Sequence, residues 1–180
     1  RTIQSPILSP DGRTIAFTSP VDGYDQMFVM LTSGGQPLQL TKDEGNKTPL
    51  AFSADGNEIL FGPSIGAYEI WSIPTLGGSP HRVANGVNVA ACNNGRSLFV
   101  GTLKGQILRT DSSGASAEVV ADYSASAINI GSANLGTAAG ESFQQLLAFP
   151  DCNSLLTLGR TGSATRIEKL DVATRKFVSV

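Results

Sequence analysis

The chain is short of the residues that most catalytic chemistry needs. Among its 180 residues there is one histidine, His81, one tryptophan, Trp71, and two cysteines, Cys92 and Cys152. A single histidine excludes any metal site built on two imidazoles. It leaves a Ser-His-Asp triad open only if His81 supplies the base. His81 follows Gly77-Gly78-Ser79-Pro80 and starts a short strand, which reads as a surface packing position. No Gly-x-Ser-x-Gly elbow, phosphate loop or dinucleotide fingerprint occurs. The chain therefore reads as non-catalytic, with no cofactor and no metal. Excess positive charge is lacking as well. Thirteen basic residues face 15 acidic ones, for a formal charge of −2, and nucleic-acid or anionic-membrane surfaces need a basic excess. No apolar run approaches the roughly 20 residues of a membrane helix, so no membrane insertion is expected in this segment. Apolar residues never recur at a sustained helical period, and essentially no helix is expected. There is no signal-peptide pattern and no initiator methionine, and the chain opens in a strand. It reads as a processed product or a segment of something longer.

What the chain has instead is turns. Twenty glycines and nine prolines accompany 41% apolar content, enough to bury a core in one domain. A polar turn followed by an apolar strand comes four times. Ser9-Pro10-Asp11-Gly12 leads into Arg13-Thr14-Ile15-Ala16-Phe17, and Ser53-Ala54-Asp55-Gly56 into Asn57-Glu58-Ile59-Leu60-Phe61. Cys92-Asn93-Asn94-Gly95 and Pro150-Asp151-Cys152 repeat the phrase in worn form. Gly12, Gly56, Gly95 and Cys152 are spaced by 44, 39 and 57 residues, a period near forty with an insertion before the last unit. A second landmark, Gly34-Gly35, Gly77-Gly78, Ser113-Gly114 and Ala173-Thr174, follows each turn by 19 to 23 residues. Each unit is thus one copied supersecondary element.

Each unit reads as four antiparallel strands. In the first these are Ile3 to Leu8, Thr14 to Thr18, Met27 to Leu31 and Pro37 to Leu40. In the second they are Thr48 to Phe52, Glu58 to Phe61, Glu69 to Ile73 and His81 to Val83. Met27-Phe28-Val29-Met30-Leu31 has no polar position. A sheet with one wet face should alternate, whereas a blade sandwiched between neighbours in a propeller need not. The fold class is all-β, a β-propeller of four-stranded antiparallel blades with four repeats present. Blade 1 covers about 1–41, blade 2 about 47–83, blade 3 about 87–121, an insertion 122–141, and blade 4 about 142–180. The strands of blades 3 and 4 are more mixed (Ile107-Leu108-Arg109, Ile167-Glu168-Lys169-Leu170), which places them nearer solvent. The two cysteines occupy almost equivalent turns of adjacent blades, beyond the roughly 7 Å Cα separation a disulfide tolerates. They are expected as free thiols, so they do not report the compartment.

Ser9 to Phe17 together with Gly34-Gly35-Gln36-Pro37-Leu38-Gln39-Leu40-Thr41 resembles the TolB-type, WD-repeat-like propeller repeat of bacteria. Trp71-Ser72-Ile73-Pro74-Thr75-Leu76-Gly77-Gly78-Ser79-Pro80-His81-Arg82-Val83 is similar to the same repeat. The resemblance is specific over residues 5 to 83 and weaker over 88 to 121 and 142 to 180. It implies a protein-interaction or ligand-sensing module. Such repeats form the periplasmic Tol–Pal component and sensor regions of receptor-like kinases and transcriptional regulators. They also form the propellers of prolyl-oligopeptidase-like hydrolases and oligogalacturonate lyases, which is the alternative reading. A periplasmic or extracytoplasmic location is implied with it. Propellers of this kind usually have six or more blades. The four units are therefore either part of a larger ring or a compact four-bladed form, and we favour the partial ring. Its open blade faces would be covered by further blades or by oligomerisation.

The turns that recur share one end of each blade, so the variable loops share the other. Function tends to sit on variable loops held by a rigid frame. At that end lie Pro20 to Asp25, Pro63 to Tyr68, Leu103 to Gly105 and Arg160 to Ala164, with Lys42 to Lys47, Ala84 to Val87 and Asp122 to Glu141 between units. Tyr24-Asp25 and Tyr68-Glu69 form a repeated aromatic-plus-acid pair and are the candidate binding residues for a protein or peptide partner. Asp11, Asp55 and Asp151 repeat because turns need them: an aspartate there accepts bonds from nearby backbone N–H groups. Asp43-Glu44 reads as solvated loop charge. Asn46-Lys47-Thr48 fits a glycosylation sequon, which a bacterial origin would make coincidental.

Overall fold

A computed structural model describes the backbone of residues 2–63, 68–92, 97–122, 128–129, 141–161 and 164–180. Among the described residues every regular element is a strand. The first sheet runs β1 (Gln4–Leu8), β2 (Thr14–Val21), β3 (Tyr24–Leu31), β4 (Leu38–Gln39). The second runs β5 (Lys47–Phe52), β6 (Glu58–Pro63), β7 (Glu69–Pro74), β8 (His81–Asn85). The third runs β9 (Asn88–Ala91), β10 (Leu98–Gly101), β11 (Gln106–Thr110), β12 (Ala117–Asp122). Each is an antiparallel meander whose spatial order is its chain order, which is the four-stranded blade that the repeat implies. The fourth sheet has five strands: β13 (Ile128–Asn129), β14 (Glu141–Ala148), β15 (Ser154–Thr161), β16 (Ala164–Asp171) and β17 (Lys176–Ser179). Its extra strand, β13, pairs parallel to the start of β14 and comes from the stretch expected as an insertion. The remainder of that insertion, 123–127 and 130–140, lies outside the described residues. The chain divides into two compact units, Arg1–Val83 with blades 1 and 2, and Ala84–Val180 with blades 3 and 4.

The recurring turns have the expected chemistry. In blade 1 the Ser9 hydroxyl donates to Asp11 Oδ1 at 2.6 Å and accepts from Thr14 N–H at 2.9 Å, while Arg13 N–H donates to Asp11 Oδ1 at 3.0 Å. Ser53, Asp55, Asn57 and Glu58 repeat this at the same distances in blade 2. Gly12 and Gly56 close the turns at φ 71° and 73°, a conformation that costs a residue with Cβ about 1–2 kcal/mol. Thr32 and Thr75, at the second landmark, donate their hydroxyls back to Gly12 O and Gly56 O. The two kinds of uniform turn therefore do share one end of the blade.

These turns also set a pH response. The Ser9 hydroxyl, and after it Arg13 N–H, holds the Asp11 carboxyl below its ordinary value of 3.8, and Ser53 does the same to Asp55. Ser113 lowers Asp111, and Thr174 lowers Asp171. A carboxyl whose folded pKa is depressed contributes stability that is complete above 3.8 and lost as pH falls through the folded value. Carboxyl NMR titration should give midpoints below 3.8 for all four, and the stability these four carboxyls contribute should be lost only below about pH 4. Midpoints at or above 3.8 would remove these turns as a source of acid sensitivity.

The hairpin between β2 and β3 corrects one expectation. Pro20 to Asp25 is not a loop: Pro20, Val21, Tyr24 and Asp25 are paired strand residues. Only Asp22 and Gly23 turn, at φ 51° and 86°, the two positive values of the tight turn that matches strand twist.

Blades 1 and 2 pack face to face through Ala16, Met27, Phe52, Ile59, Phe61 and Ile73, with Ile7, Leu40 and Trp71 at the margin. The opposite side of β2 and β3 carries Phe17 and Phe28, stacked with centroids 5.7 Å apart and each 1% exposed. Both faces of that sheet are buried, which is why its strands do not alternate. In the second unit the core joins Ala90, Cys92, Phe99, Ile107, Val120 and Ala121 of blade 3 to Leu146, Leu155, Leu170 and Val172 of blade 4. The other face of blade 4 stands in solvent, with Leu147, Phe149, Ile167, Val178 and Val180 exposed, as its mixed strands led us to expect.

The cysteines are not free. A disulfide joins Cys92 and Cys152, whose Cα atoms lie 5.6 Å apart. The expectation failed because the two positions are not equivalent. Cys92 N–H donates to Ser97 O, as Ser9 N–H does to Thr14 O, so Cys92 opens its turn. Cys152 N–H donates to Phe149 O, as Gly12 N–H does to Ser9 O, so Cys152 stands in the fourth position. That three-residue offset brings the two side chains from adjacent turns within bonding reach. Cys152 takes the glycine conformation there, at φ 61°.

Candidate functional site

The variable-loop end of the first unit contains a cleft of about 990 Å³ between blades 1 and 2. Residues 41–47, which connect the two blades, form one wall together with Tyr24 and Leu40. Phe61, Pro63, Glu69, Trp71 and Pro80 form the other. The floor is apolar because Phe61 and Leu40 belong to the interblade core and continue upward into it.

The connecting wall is built around two buried polar side chains. Thr41 accepts from Met27 N–H at 2.9 Å and donates to Gln26 Oε1 at 2.7 Å. Gln26 Nε2 then donates to Asp43 O at 2.8 Å and to Gly45 O at 3.3 Å. Asn46 Oδ1 accepts from Asp25 N–H at 2.8 Å. Lys47, only 10% exposed along its side chain, donates to Gly45 O at 2.9 Å and pairs with Asp43 at 2.8 Å. A satisfied buried network of this kind holds one conformation. The facing wall is fixed too: Glu69 accepts from Trp71 Nε1 and from Arg82 Nε, each at 3.0 Å.

Of the four residues expected to bind, the structure brings Tyr24 and Glu69 together on this cleft. Tyr24 stands at the start of β3, 37% exposed. Asp25 and Tyr68 do not line it. Asp25 follows Tyr24 in a strand, so its side chain points to the opposite face, and its backbone holds Asn46. Tyr68 is half-buried just before β7, beside residues 64–67, which lie outside the described residues. Trp71 and Phe61 were read as strand core alone, and nothing in their spacing distinguishes a core residue from one at the core's open margin. Gln26, beside the apolar run of β3, was the signal for the network. The Asp43-Glu44 reading is refined, since Lys47 supplies the cation that Asp43 faces. Among the described residues no group of three or more histidine, cysteine or acidic side chains is placed to hold a metal.

No family model matches the chain. A stretch of 65 residues is 40% identical to the uncharacterized peptidase YuxL of Bacillus subtilis, covering 36% of this chain and 10% of that protein. The fold superposes on a TolB structure from Agrobacterium tumefaciens with a TM-score of 0.69 at 18% identity, over 96% of this chain and 62% of that one. TolB from Acinetobacter baumannii gives 0.66 at 18% identity, over 98% and 42%. A puromycin-hydrolyzing peptidase of Mycobacterium tuberculosis gives 0.62 at 14% identity, over 99% and 28%. The chain spans less than two thirds of the length of each of these proteins. Its fold is that of the TolB-type β-propeller, the architecture that its Ser-Pro-Asp-Gly and Gly-Gly repeats resemble.

Proposed function

We propose that this chain is a non-catalytic propeller module that binds a protein or peptide at the variable-loop end of its first unit. The observation that carries this reading is the cleft: a rigid, aromatic-lined recess whose carboxylates Asp43 and Glu69 are already engaged in ion pairs. The module acts as a sensor or interaction appendage of a bacterial signalling protein, such as a receptor-like Ser/Thr kinase or a transcriptional regulator. An extracytoplasmic setting accords with the Cys92–Cys152 disulfide, since such bonds persist in oxidising compartments.

The second reading is the propeller of a peptide-processing enzyme. It is favoured by the identity to YuxL and by the peptidase structures of similar fold. In that case the hydrolase machinery lies elsewhere in a longer chain.

The two are separated by assaying the natural protein that carries this sequence on peptide p-nitroanilides and on oligogalacturonate, alongside selection on the purified chain from a phage-displayed random peptide library. The module reading expects peptide enrichment with no turnover. Turnover by the natural protein would overturn it in favour of the second reading.

A further inference from the structure

The Cys92–Cys152 bond has two unlike ends. Cys92 is 1% exposed and belongs to the core that joins blade 3 to blade 4, with Ala90, Phe99 and Leu155. Cys152 packs only at the margin of that core. It is half-buried, in a turn whose flanking Asp151 and Asn153 are exposed. Thiol–disulfide exchange begins when a thiolate attacks one sulphur of the bond, and access selects the sulphur. A thiolate from solvent therefore meets Cys152, while the core shields Cys92.

We propose that Cys152 is a modification site for low-molecular-weight thiols, and that Cys92 is the residue that reverses the modification. In the forward step the incoming thiolate bonds to Cys152 Sγ, and the bond between Cys152 and Cys92 breaks. Its electron pair leaves on Cys92 Sγ, which then takes a proton from water. The products are a mixed disulfide at Cys152 and a buried thiol at Cys92. In the return step the Cys92 thiolate attacks Cys152 Sγ and expels the small thiol as its thiolate. Both cysteines are held by backbone bonds that do not depend on the crosslink. Cys152 N–H donates to Phe149 O at 2.9 Å, Asn153 N–H to Asp151 Oδ1 at 3.0 Å, and Val172 N–H to Asn153 O at 2.9 Å. Cys92 N–H donates to Ser97 O at 3.0 Å. These bonds keep the Cα atoms near their 5.6 Å separation after exchange, within disulfide reach, so the return is intramolecular and favoured by proximity. Apolar surroundings keep Cys92 as the thiol and slow both steps, which gives the mixed disulfide a lifetime in which it can be trapped.

The probe is reduced glutathione, added to the unmodified chain, quenched with acid at early times and mapped by peptide mass spectrometry. Glutathione should be found on Cys152, with Cys92 as a free thiol. Dilution into glutathione-free buffer should restore the crosslink and release the glutathione. The rate of adduct formation should be unchanged by urea below the unfolding transition. In a second measurement each cysteine is left alone in the folded chain and treated with 5,5′-dithiobis(2-nitrobenzoate). Cys152 in the Cys92→Ser variant should react about a hundredfold faster than Cys92 in the Cys152→Ser variant, because a buried thiol reacts only through local opening. Glutathione on Cys92, or equally on both residues, would overturn the assignment. A rate that climbs with urea in step with unfolding would show that attack waits for the unfolded chain, and would overturn it as well. So would the absence of an adduct at glutathione concentrations that modify the urea-unfolded chain. An adduct that persists after dilution would remove the role given to Cys92.

Discussion

Cys92→Ala should lower the stability of the second unit by about 4 kcal/mol. The disulfide spans 60 residues, and in the chain-entropy account a closed loop of that size restricts the unfolded state by about that amount. The effect should be read by hydrogen exchange in β9 to β12 and β14 to β17. Trp71 lies in the first unit, so its fluorescence serves as an internal control. A reductant added to the unmodified chain should reproduce the loss. An unchanged exchange pattern in both cases would show that the crosslink does not limit unfolding.

The backbone at Cys152 refines this expectation. Its φ of 61° is glycine's territory, and side chains with Cβ are held there at a cost. With Cys92 already replaced, Cys152→Gly should be more stable than Cys152→Ala by about 1 kcal/mol. Equal stabilities would mean that the turn relaxes once the bond is gone.

The second large effect is Phe99→Ala, with an expected loss of about 3–5 kcal/mol. Phe99 is 1% exposed in β10, a strand buried along its whole length. Its ring sits in the core that joins blade 3 to blade 4. Removing it leaves a cavity that stiff neighbouring sheets cannot close. Urea unfolding followed by far-UV circular dichroism measures the change, and a loss below about 1 kcal/mol would show that the core collapses around the gap. Cys92 belongs to the same core, so combining Phe99→Ala with Cys92→Ala should depart from additivity.

Most of the architecture was legible because it is local. Asp11 and Asp55 specify their turns through atoms within five residues, so the sequence distance that sets each bond is short. The strand limits followed from these turns and from unbroken apolar runs. The misreadings have a common origin in longer range. The hairpin at Asp22-Gly23 was missed because Pro20 and Tyr24-Asp25 are polar or turn-forming in isolation and become strand only by pairing. Asp25 was grouped with Tyr24 by adjacency, although neighbours in a strand face opposite sides. Trp71 and Phe61 looked like core because burial and cleft lining draw on the same residue types.

The sequence by itself determined the repeat, the all-β class, the four-stranded blade and the end of the blade where loops vary. Each depends on spacings that one blade can enforce alone. Only the tertiary structure decided that Cys92 and Cys152 bond. It alone decided that Lys47 answers Asp43, and that Tyr24 and Glu69 line one cleft while Asp25 and Tyr68 do not. Those outcomes depend on how one sheet packs against the next. A three-residue offset between two turns, or the choice of face by one strand residue, decides them, and each takes effect only once the sheets are packed together.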